Sequence, residues 1–167
     1  MATVNLSSRA RLAPASRRAE GTVRLAPPQT LRLLALSFSA SRRRLFAEAA
    51  DAAAWEAILC REIGEFWRTS LRERADLTLV DLPSVDSPLY AGLQSVVADV
   101  QRRSDSLLAV VGLGDEREEI WARSTGSWLY LREACGRHSI ELALRDAQVA
   151  LQRIEVRRAL SAGGVGR

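Results

Sequence analysis

The sequence predicts a doubly wound α/β domain, in which helices cover both faces of a single parallel sheet. Five short apolar segments alternate with five segments of helical periodicity between residues 31 and 160. Each step from one apolar segment to the next takes about 20–30 residues, which is the room that a right-handed crossover helix requires. The apolar segments lack a strict alternation with polar residues, as expected of strands that are buried on both faces.

The first predicted strand, Leu31–Phe38, is an apolar run too short for a helix, and a pair of prolines precedes it. Ser39 or Ser41 then caps a helix over Ser41–Trp55, because a serine hydroxyl can accept a hydrogen bond from a free amide of the first turn. Apolar residues recur on one face of this helix at helical spacing. A second short strand, Ala57–Cys60, follows it.

The middle of the chain repeats this alternation. Helix Ile63–Arg72 has a stripe of aromatic and aliphatic residues, and the strand Leu77–Leu82 after it is closed by Pro83. Helix Leu89–Arg103 presents a stripe of leucine and valine at helical spacing. The fourth strand, Leu107–Val111, leads into a Gly-Leu-Gly turn.

The last third of the chain supplies the remaining helices and strand. Asp115 caps helix Glu116–Ser124, whose acidic first turn complements the positive end of the helix dipole. Gly126 ends this helix as a left-handed cap. The strand Trp128–Leu131 and the helix Ser139–Leu160 complete a flavodoxin-like arrangement, a five-stranded parallel sheet with helices on both faces.

The charge of the chain resides at its two ends. All 24 basic side chains are arginines, which excludes chemistry that needs a lysine amine, such as a Schiff base. Residues 1–30 carry five arginines against one acid, whereas residues 31–155 carry 16 arginines against 19 acids. A nucleic-acid-binding domain needs a basic footprint. Nucleic-acid binding by the folded part is therefore not expected.

We expect three segments: a disordered tail containing arginine and proline over residues 1–30, one domain over residues 31–155, and a short flexible tail over residues 156–167. The first tail also has the composition of a transit peptide, and a misplaced start codon is a third interpretation. No apolar run approaches the ~18 residues needed to span a bilayer. The chain has two cysteines and no CxxC motif, which favours a cytoplasmic location.

Chemistry in doubly wound sheets collects beyond the carboxyl ends of the strands. Asp81 is the one carboxylate that ends a predicted buried strand, where it acts either as an acceptor or metal ligand or as a hydrogen-bonding group of the loop. Gly112-x-Gly114 lacks the third glycine of a dinucleotide fingerprint and the lysine of a P-loop, which favours a structural turn. His138 has no obvious acid–base partner. We expect no metal, no cofactor and no enzymatic activity.

Four segments follow the order and spacing of motifs in a known family. Asp76–Leu82 with Pro83 is similar to a strand that ends in a phospho-acceptor aspartate, although the proline lies two residues past Asp81 and the family usually places it about four past. The family is that of the receiver domains of two-component response regulators, and the resemblance covers residues 31–155. The other similar segments are Arg32–Ser41, Val111–Glu116 and Gly126–Leu131.

The resemblance implies a phosphorylation pocket from which most functional residues are missing. Asp81 matches the acceptor aspartate and Tyr130 matches a switch-like tyrosine. The family's two magnesium-binding acids, its hydroxyl residue and its lysine match residues of different chemistry. These are Ser37, Phe38, Val111 (or Gly112 if the alignment slips by one) and Glu133.

These replacements predict a pseudo-receiver, which is a non-catalytic module that acts in signalling by binding proteins. Magnesium is usually held by more than one carboxylate or phosphate, and phosphoryl transfer needs cations that neutralise the phosphoryl oxygens. Glu133 instead adds a negative charge where the resemblance implies a positive one. The alternative is a phosphorylatable response regulator that uses Asp81 in an atypical pocket.

The interaction surface that the resemblance implies consists of the fourth helix, fifth strand and fifth helix. We expect it to bind a protein partner or a second copy of the chain, whereas core packing is the alternative role of its aromatic residues. Strand alternation predicts that Trp128 and Tyr130 point to the same side. A further hypothesis is that the arginine-rich ends bind nucleic acid or an acidic partner. The candidate interface residues are Trp121, Arg123, Trp128, Tyr130 and Arg132.

Overall fold

A computed structural model describes residues 30–103, 106–132 and 135–163 of the chain. The five strands form one parallel sheet in the order β2-β1-β3-β4-β5. The strands are β1 (Arg32–Leu36), β2 (Glu56–Cys60), β3 (Leu77–Asp81), β4 (Leu107–Gly112) and β5 (Leu129–Arg132).

Helices cover both faces of this sheet, which confirms the predicted flavodoxin-like α/β fold. Helices α1 and α5 pack on one face, and α2, α3 and α4 contribute buried residues to the other. The helices are α1 (Ala40–Ala52), α2 (Ile63–Ser70), α3 (Tyr90–Arg103), α4 (Glu116–Ser124) and α5 (Arg137–Gly163).

The central strands are apolar on both sides because each side meets a layer of helices. In β1, Leu33 and Ala35 belong to the core under α1 and α5, whereas Leu34 and Leu36 belong to the core under α2 and α3. All four side chains are buried.

Because the strands are parallel, the carboxyl ends of the neighbouring strands β1, β3 and β4 meet at one edge of the sheet. The predicted site lies at this edge.

The predicted caps are present. Ser39 is the N-cap of α1, and its hydroxyl accepts a hydrogen bond from the amide of Arg42. Asp115 caps α4 by accepting from the amide of Arg117. Gly126 follows α4 with a φ of +91°, a left-handed conformation that glycine adopts without strain.

Two boundaries differ from the prediction at the carboxyl end of the chain. Helix α5 begins at Arg137 rather than at Ser139 and ends at Gly163 rather than at Leu160, so residues 156–163 of the expected tail are helical. Arginine, alanine and leucine dominate this stretch, and they are good helix formers. The predicted tail over residues 1–30 lies, apart from residue 30, outside the described residues and stays a prediction.

The prediction that Trp128 and Tyr130 share one side of the sheet is wrong. Strand β5 begins at Leu129, so Trp128 precedes it and does not take part in its alternation. Trp128 packs against the core under α1 and α5, and Tyr130 lies in the core on the other face.

Within the described residues, every helix is too short or too polar to cross a lipid bilayer.

Candidate functional site

Asp81 ends the central strand β3 at the carboxyl edge of the sheet. The hydroxyl of Ser37, the residue that follows β1, donates a hydrogen bond of 2.6 Å to Oδ2 of Asp81. Ser37 is fully buried. The adjacent ends of β1 and β3 are therefore joined through their side chains.

The other carboxylate oxygen of Asp81 faces an arginine. Nη2 of Arg42 lies 3.2 Å from Oδ1, and Nε of the same guanidinium lies 3.4 Å from it. The side chains of Arg42 and Asp81 are only 14% and 11% exposed, so water screens this ion pair little. The guanidinium also lies 5.7 Å from the ring centroid of Phe46, within the range of a cation–π contact.

The position of Arg42 in the first turn of α1 explains why it needs this partner. That turn contains no acid, and three successive arginines, residues 42–44, lie close to the positive end of the helix dipole. Asp81 supplies the compensating negative charge for Arg42. Arg43 is stabilised separately, because its Nη1 donates a 2.7 Å hydrogen bond to the carbonyl of Ser37.

The described residues around Asp81 do not fit a magnesium ion. Magnesium takes oxygen ligands in a near-octahedral arrangement and is usually held by one or two carboxylates and by phosphates. Here Oδ1 of Asp81 is paired with a guanidinium and Oδ2 accepts from Ser37. Among the described residues, no three histidine, cysteine or acidic side chains converge on one point.

The remaining pocket positions named from the sequence are dispersed. Phe38 is exposed on the loop between β1 and α1. Val111 is buried in the core under α1 and α5. Gly112 ends β4 and faces a buried glutamate, Glu118. Glu133 lies outside the described residues, and its predicted role stays a prediction.

Glu118 is the centre of a second polar cluster near this edge. It belongs to the first turn of α4 and is only 3% exposed. The hydroxyl of Tyr130 donates to its Oε1 at 2.5 Å, and the hydroxyl of Tyr90 donates to its Oε2 at 3.1 Å. The amide of Gly114 donates in turn to the Tyr130 hydroxyl at 3.0 Å. Helix α4 is thereby joined to α3, β5 and the β4–α4 loop.

Gly112 makes room for the buried carboxylate. A Cβ atom at this position would lie 1.7 Å from Oε1 of Glu118 and 2.6 Å from the hydroxyl of Tyr130. Any side chain here would displace both groups. Gly112 is therefore required by the packing of this cluster.

Burial changes the acidity of the groups in both clusters. Burial, followed by the negative charge of Glu118, raises the pKa of Tyr90 to about 12. Burial and the hydrogen bond to Glu118 also raise the pKa of Tyr130. Burial raises the pKa of the Cys135 thiol, although the charge of Arg42 opposes this shift. The tyrosines are therefore neutral hydrogen-bond donors at physiological pH.

The candidate interface residues differ in how much surface they offer. Tyr130 is buried, and Trp121 and Trp128 are half-buried against the two cores. Arg123 and Arg132 are exposed, and Arg123 pairs with Glu119 one turn earlier in α4. The large apolar side chains that are exposed on α4, on its preceding loop and at the start of α5 are Leu113, Ile120 and Leu142.

The sequence reasoning missed Arg42, Glu118 and Tyr90. A signal for Arg42 was present, since arginines in the first turn of a helix oppose its dipole and call for an acidic partner. Glu118 looked like one more exposed acid that complements the dipole of α4. Only its approach to Gly112 and to two tyrosines distinguishes it from Glu116 and Glu119.

Receiver domains of response regulators are among the solved structures that this chain resembles. A CheY-like response regulator receiver domain protein from Methanospirillum hungatei JF-1 is 12% identical with a TM-score of 0.64, over 75% of this chain and 98% of that one. A response regulator from Thermotoga maritima is 15% identical with a TM-score of 0.63, over 71% and 98% of the two chains. The chemotaxis response regulator CheY4 of Vibrio cholerae is 16% identical with a TM-score of 0.61, over 71% and 99%.

No protein-family model and no curated protein matches the sequence. The structural similarity shows that the chain shares the fold of CheY-like receiver domains.

Proposed function

We propose that this chain is a pseudo-receiver, a signalling domain without enzymatic activity that acts by binding proteins and no longer accepts a phosphoryl group. The proposal builds on the receiver-domain fold together with the residues at the end of β3. Asp81 matches the expected acceptor aspartate, and its carboxylate forms an ion pair with Arg42 of the same chain.

The ion pair between Arg42 and Asp81 is the observation that supports this proposal most directly. A carboxylate oxygen that attacks a phosphoryl donor needs to be exposed and needs a cation beside the incoming phosphate. Oδ1 and Oδ2 of Asp81 are engaged by Arg42 and Ser37, and the side chain is 11% exposed. Breaking these bonds adds to the barrier of the transfer.

A phosphorylatable Asp81 in an atypical pocket is the second candidate, and Arg42 is the observation in its favour. A guanidinium binds phosphate oxygens well. If the Asp81 carboxylate were phosphorylated, Arg42 could move from the carboxylate to the new phosphoryl group. This route makes phosphorylation dependent on Arg42.

Incubation of the full chain with acetyl phosphate and magnesium chloride, followed by intact-mass spectrometry, distinguishes the two candidates. A receiver domain that accepts phosphoryl groups from acetyl phosphate is the positive control, and Asp81→Asn is the negative one. The pseudo-receiver predicts no stable adduct. A phosphoryl adduct on the wild type that is absent from Asp81→Asn would overturn the proposal, and its loss in Arg42→Ala would identify the atypical pocket.

We propose that the protein acts in the cytoplasm and that it binds its partner through the face formed by α4, β5 and α5. In the elements that form this face, Arg123, Arg132 and the apolar side chain of Ile120 are exposed. Arginine is enriched in protein interfaces, and the buried centres of interfaces are more apolar than the rest of the surface. A partner would bind these side chains, whereas Tyr130 is buried and Trp121 and Trp128 are half-buried against the two cores.

An affinity purification with the full chain as bait tests this face. The double variant Ile120→Glu/Arg132→Glu introduces two carboxylates on this face. The control Leu71→Glu introduces a carboxylate at an exposed apolar residue after α2. We expect a partner identified by mass spectrometry to bind the wild type and Leu71→Glu but not the double variant. A partner retained equally by all three proteins would contradict the assignment of this face.

A further inference from the structure

We infer that the outer face of α5 binds the α5 helix of a second copy of this chain in an antiparallel pair. The inference rests on the proposed protein-binding role, because it names one partner and one part of the face. It does not depend on the state of Asp81.

Helix α5 carries apolar residues on two opposite sides. One side packs on the sheet through Ile140, Leu144 and Ala147, which are buried. Leu142, Val149 and Val156 recur every seven residues on the opposite side, and they are 48%, 46% and 60% exposed. A repeat of seven keeps one line of side chains facing a neighbouring helix. We call these three residues the outer stripe.

The length of α5 is a second reason to expect a helical partner. The helix has 27 residues, and residues 152–161 are exposed on all sides. An isolated helical stretch shorter than ~12–15 residues is marginal in water. Packing against another helix would stabilise this extension and cover the stripe that it carries.

The outer stripe is self-complementary in an antiparallel pair centred on Val149. Residues at equal distances before and after Val149 then face each other, so Leu142 of one copy lies beside Val156 of the other, about 10 Å from the centre. On one flank, Asp146 lies three residues before Val149 and Arg153 four residues after it, so Asp146 of each copy lies within about one residue's rise of Arg153 of the other. Two intermolecular ion pairs therefore border the apolar line.

The charges along α5 favour the antiparallel over the parallel arrangement. Residues 152–161 contain three arginines and one glutamate, whereas residues 137–147 contain two arginines and two acids. A parallel pair would bring the two positive extensions together, which costs free energy. An antiparallel pair places each extension against the neutral half of the partner's helix.

Sedimentation velocity over a concentration series of the full chain tests this inference. One stripe of apolar residues buries less than the ~1,200 Å² of stable complexes, so we expect a reversible dimer in the micromolar range. Val149→Glu sets two carboxylates against each other and should raise the dimer dissociation constant about tenfold or more. Val85→Glu, the same change at a similarly exposed valine of the loop between β3 and α3, is the matched control and should leave this constant unchanged.

Charge exchange and disulfide crosslinking test whether the two α5 helices pair in the antiparallel orientation. Asp146→Arg should weaken the dimer, and Asp146→Arg/Arg153→Asp should restore it. Under oxidation, a mixture of Leu142→Cys and Val156→Cys proteins should form the mixed crosslink in preference to either symmetric one.

A full chain that stays monomeric at all concentrations, or a dimer that Val149→Glu leaves intact, would overturn the inference. So would a dominant symmetric Leu142→Cys crosslink, which indicates a parallel pair. None of these outcomes bears on the pseudo-receiver proposal, which fails only if Asp81 is phosphorylated or the α4–β5–α5 face binds no protein.

Discussion

The hydroxyl of Tyr130 donates a 2.5 Å hydrogen bond to Oε1 of Glu118, and this bond joins β5 to the first turn of α4 inside the core. Tyr130 is 7% exposed. Its inward position is therefore held by a residue of the same domain rather than by a bound group. The consequences for stability are measurable because each partner can be removed singly.

Replacement of Glu118 by alanine should lower the free energy of unfolding by roughly 2–3 kcal/mol. The change leaves the hydroxyls of the buried Tyr130 and the half-buried Tyr90 without their acceptor, and a buried donor without a partner costs about 1–3 kcal/mol. Urea denaturation measures the effect. Glu116→Ala, in the same turn but exposed, should cost about 0.5 kcal/mol. Equal losses in both variants would show that the buried cluster adds nothing.

Gly112→Ala should destabilise the protein by roughly 1–3 kcal/mol, because overpacking forces neighbouring groups apart. The new Cβ would lie 1.7 Å from Oε1 of Glu118. Gly64→Ala is the control, since its Cβ would meet only a side-chain atom of Arg68 at 3.8 Å and alanine favours the helix. We expect Gly112→Ala to cost much less in a Glu118→Ala background. Additive losses in the double variant would contradict a clash with Glu118.

The stability of the fold should fall as the pH rises above about 10, the usual pKa of a tyrosine. Folding raises the pKa of Tyr90 to about 12 and raises that of Tyr130 as well. The folded state therefore binds more protons than the unfolded state in this window. The stabilisation is complete below pH ~10 and is lost as the pH rises through the folded-state pKa values.

These two residues are the only tyrosines in the chain, so the absorbance of tyrosinate reports them alone. We expect the native protein to titrate at higher pH than the chain unfolded in urea. In thermal melts, the melting temperature of Tyr90→Phe should fall less than that of the wild type as the pH rises above about 10. Superimposable native and unfolded titration curves would refute the shift.

Arg42→Ala should cost roughly 1–3 kcal/mol, because it removes the charged partner of a largely buried carboxylate. Arg44→Ala, exposed on the same helix, should change stability by less than about 0.5 kcal/mol. The double variant Arg42→Ala/Asp81→Asn should cost less than the sum of the single changes, as measured by a double-mutant cycle. A coupling energy near zero would show that the pair contributes nothing to the fold.

Much of the fold could be predicted because its determinants are local. The apolar runs of β1 and β3 indicate burial on both faces. Ser39 and Asp115 cap the helices that the sequence assigns to them. Where local rules failed, a neighbouring element decided. Trp128 follows the packing of the loop before β5 and not the alternation of the strand.

The candidate site could be predicted only in part. Asp81 was identifiable because it ends a buried strand, and the family resemblance implied Ser37 as a residue of the same pocket, but Arg42 was missed. Ser37 and Arg42 are 44 and 39 residues away in the sequence, and only the pairing of β1 with β3 brings them to the carboxylate.

The sequence by itself determined the doubly wound α/β class, the site edge and the order of elements, because periodicity and caps are properties of neighbouring residues. Only the tertiary structure decided which charges meet. Arg42 pairs with Asp81, and Glu118 enters the core beside Gly112. A charge between distant residues is balanced through space, and the distances that govern it exist only once the chain has folded.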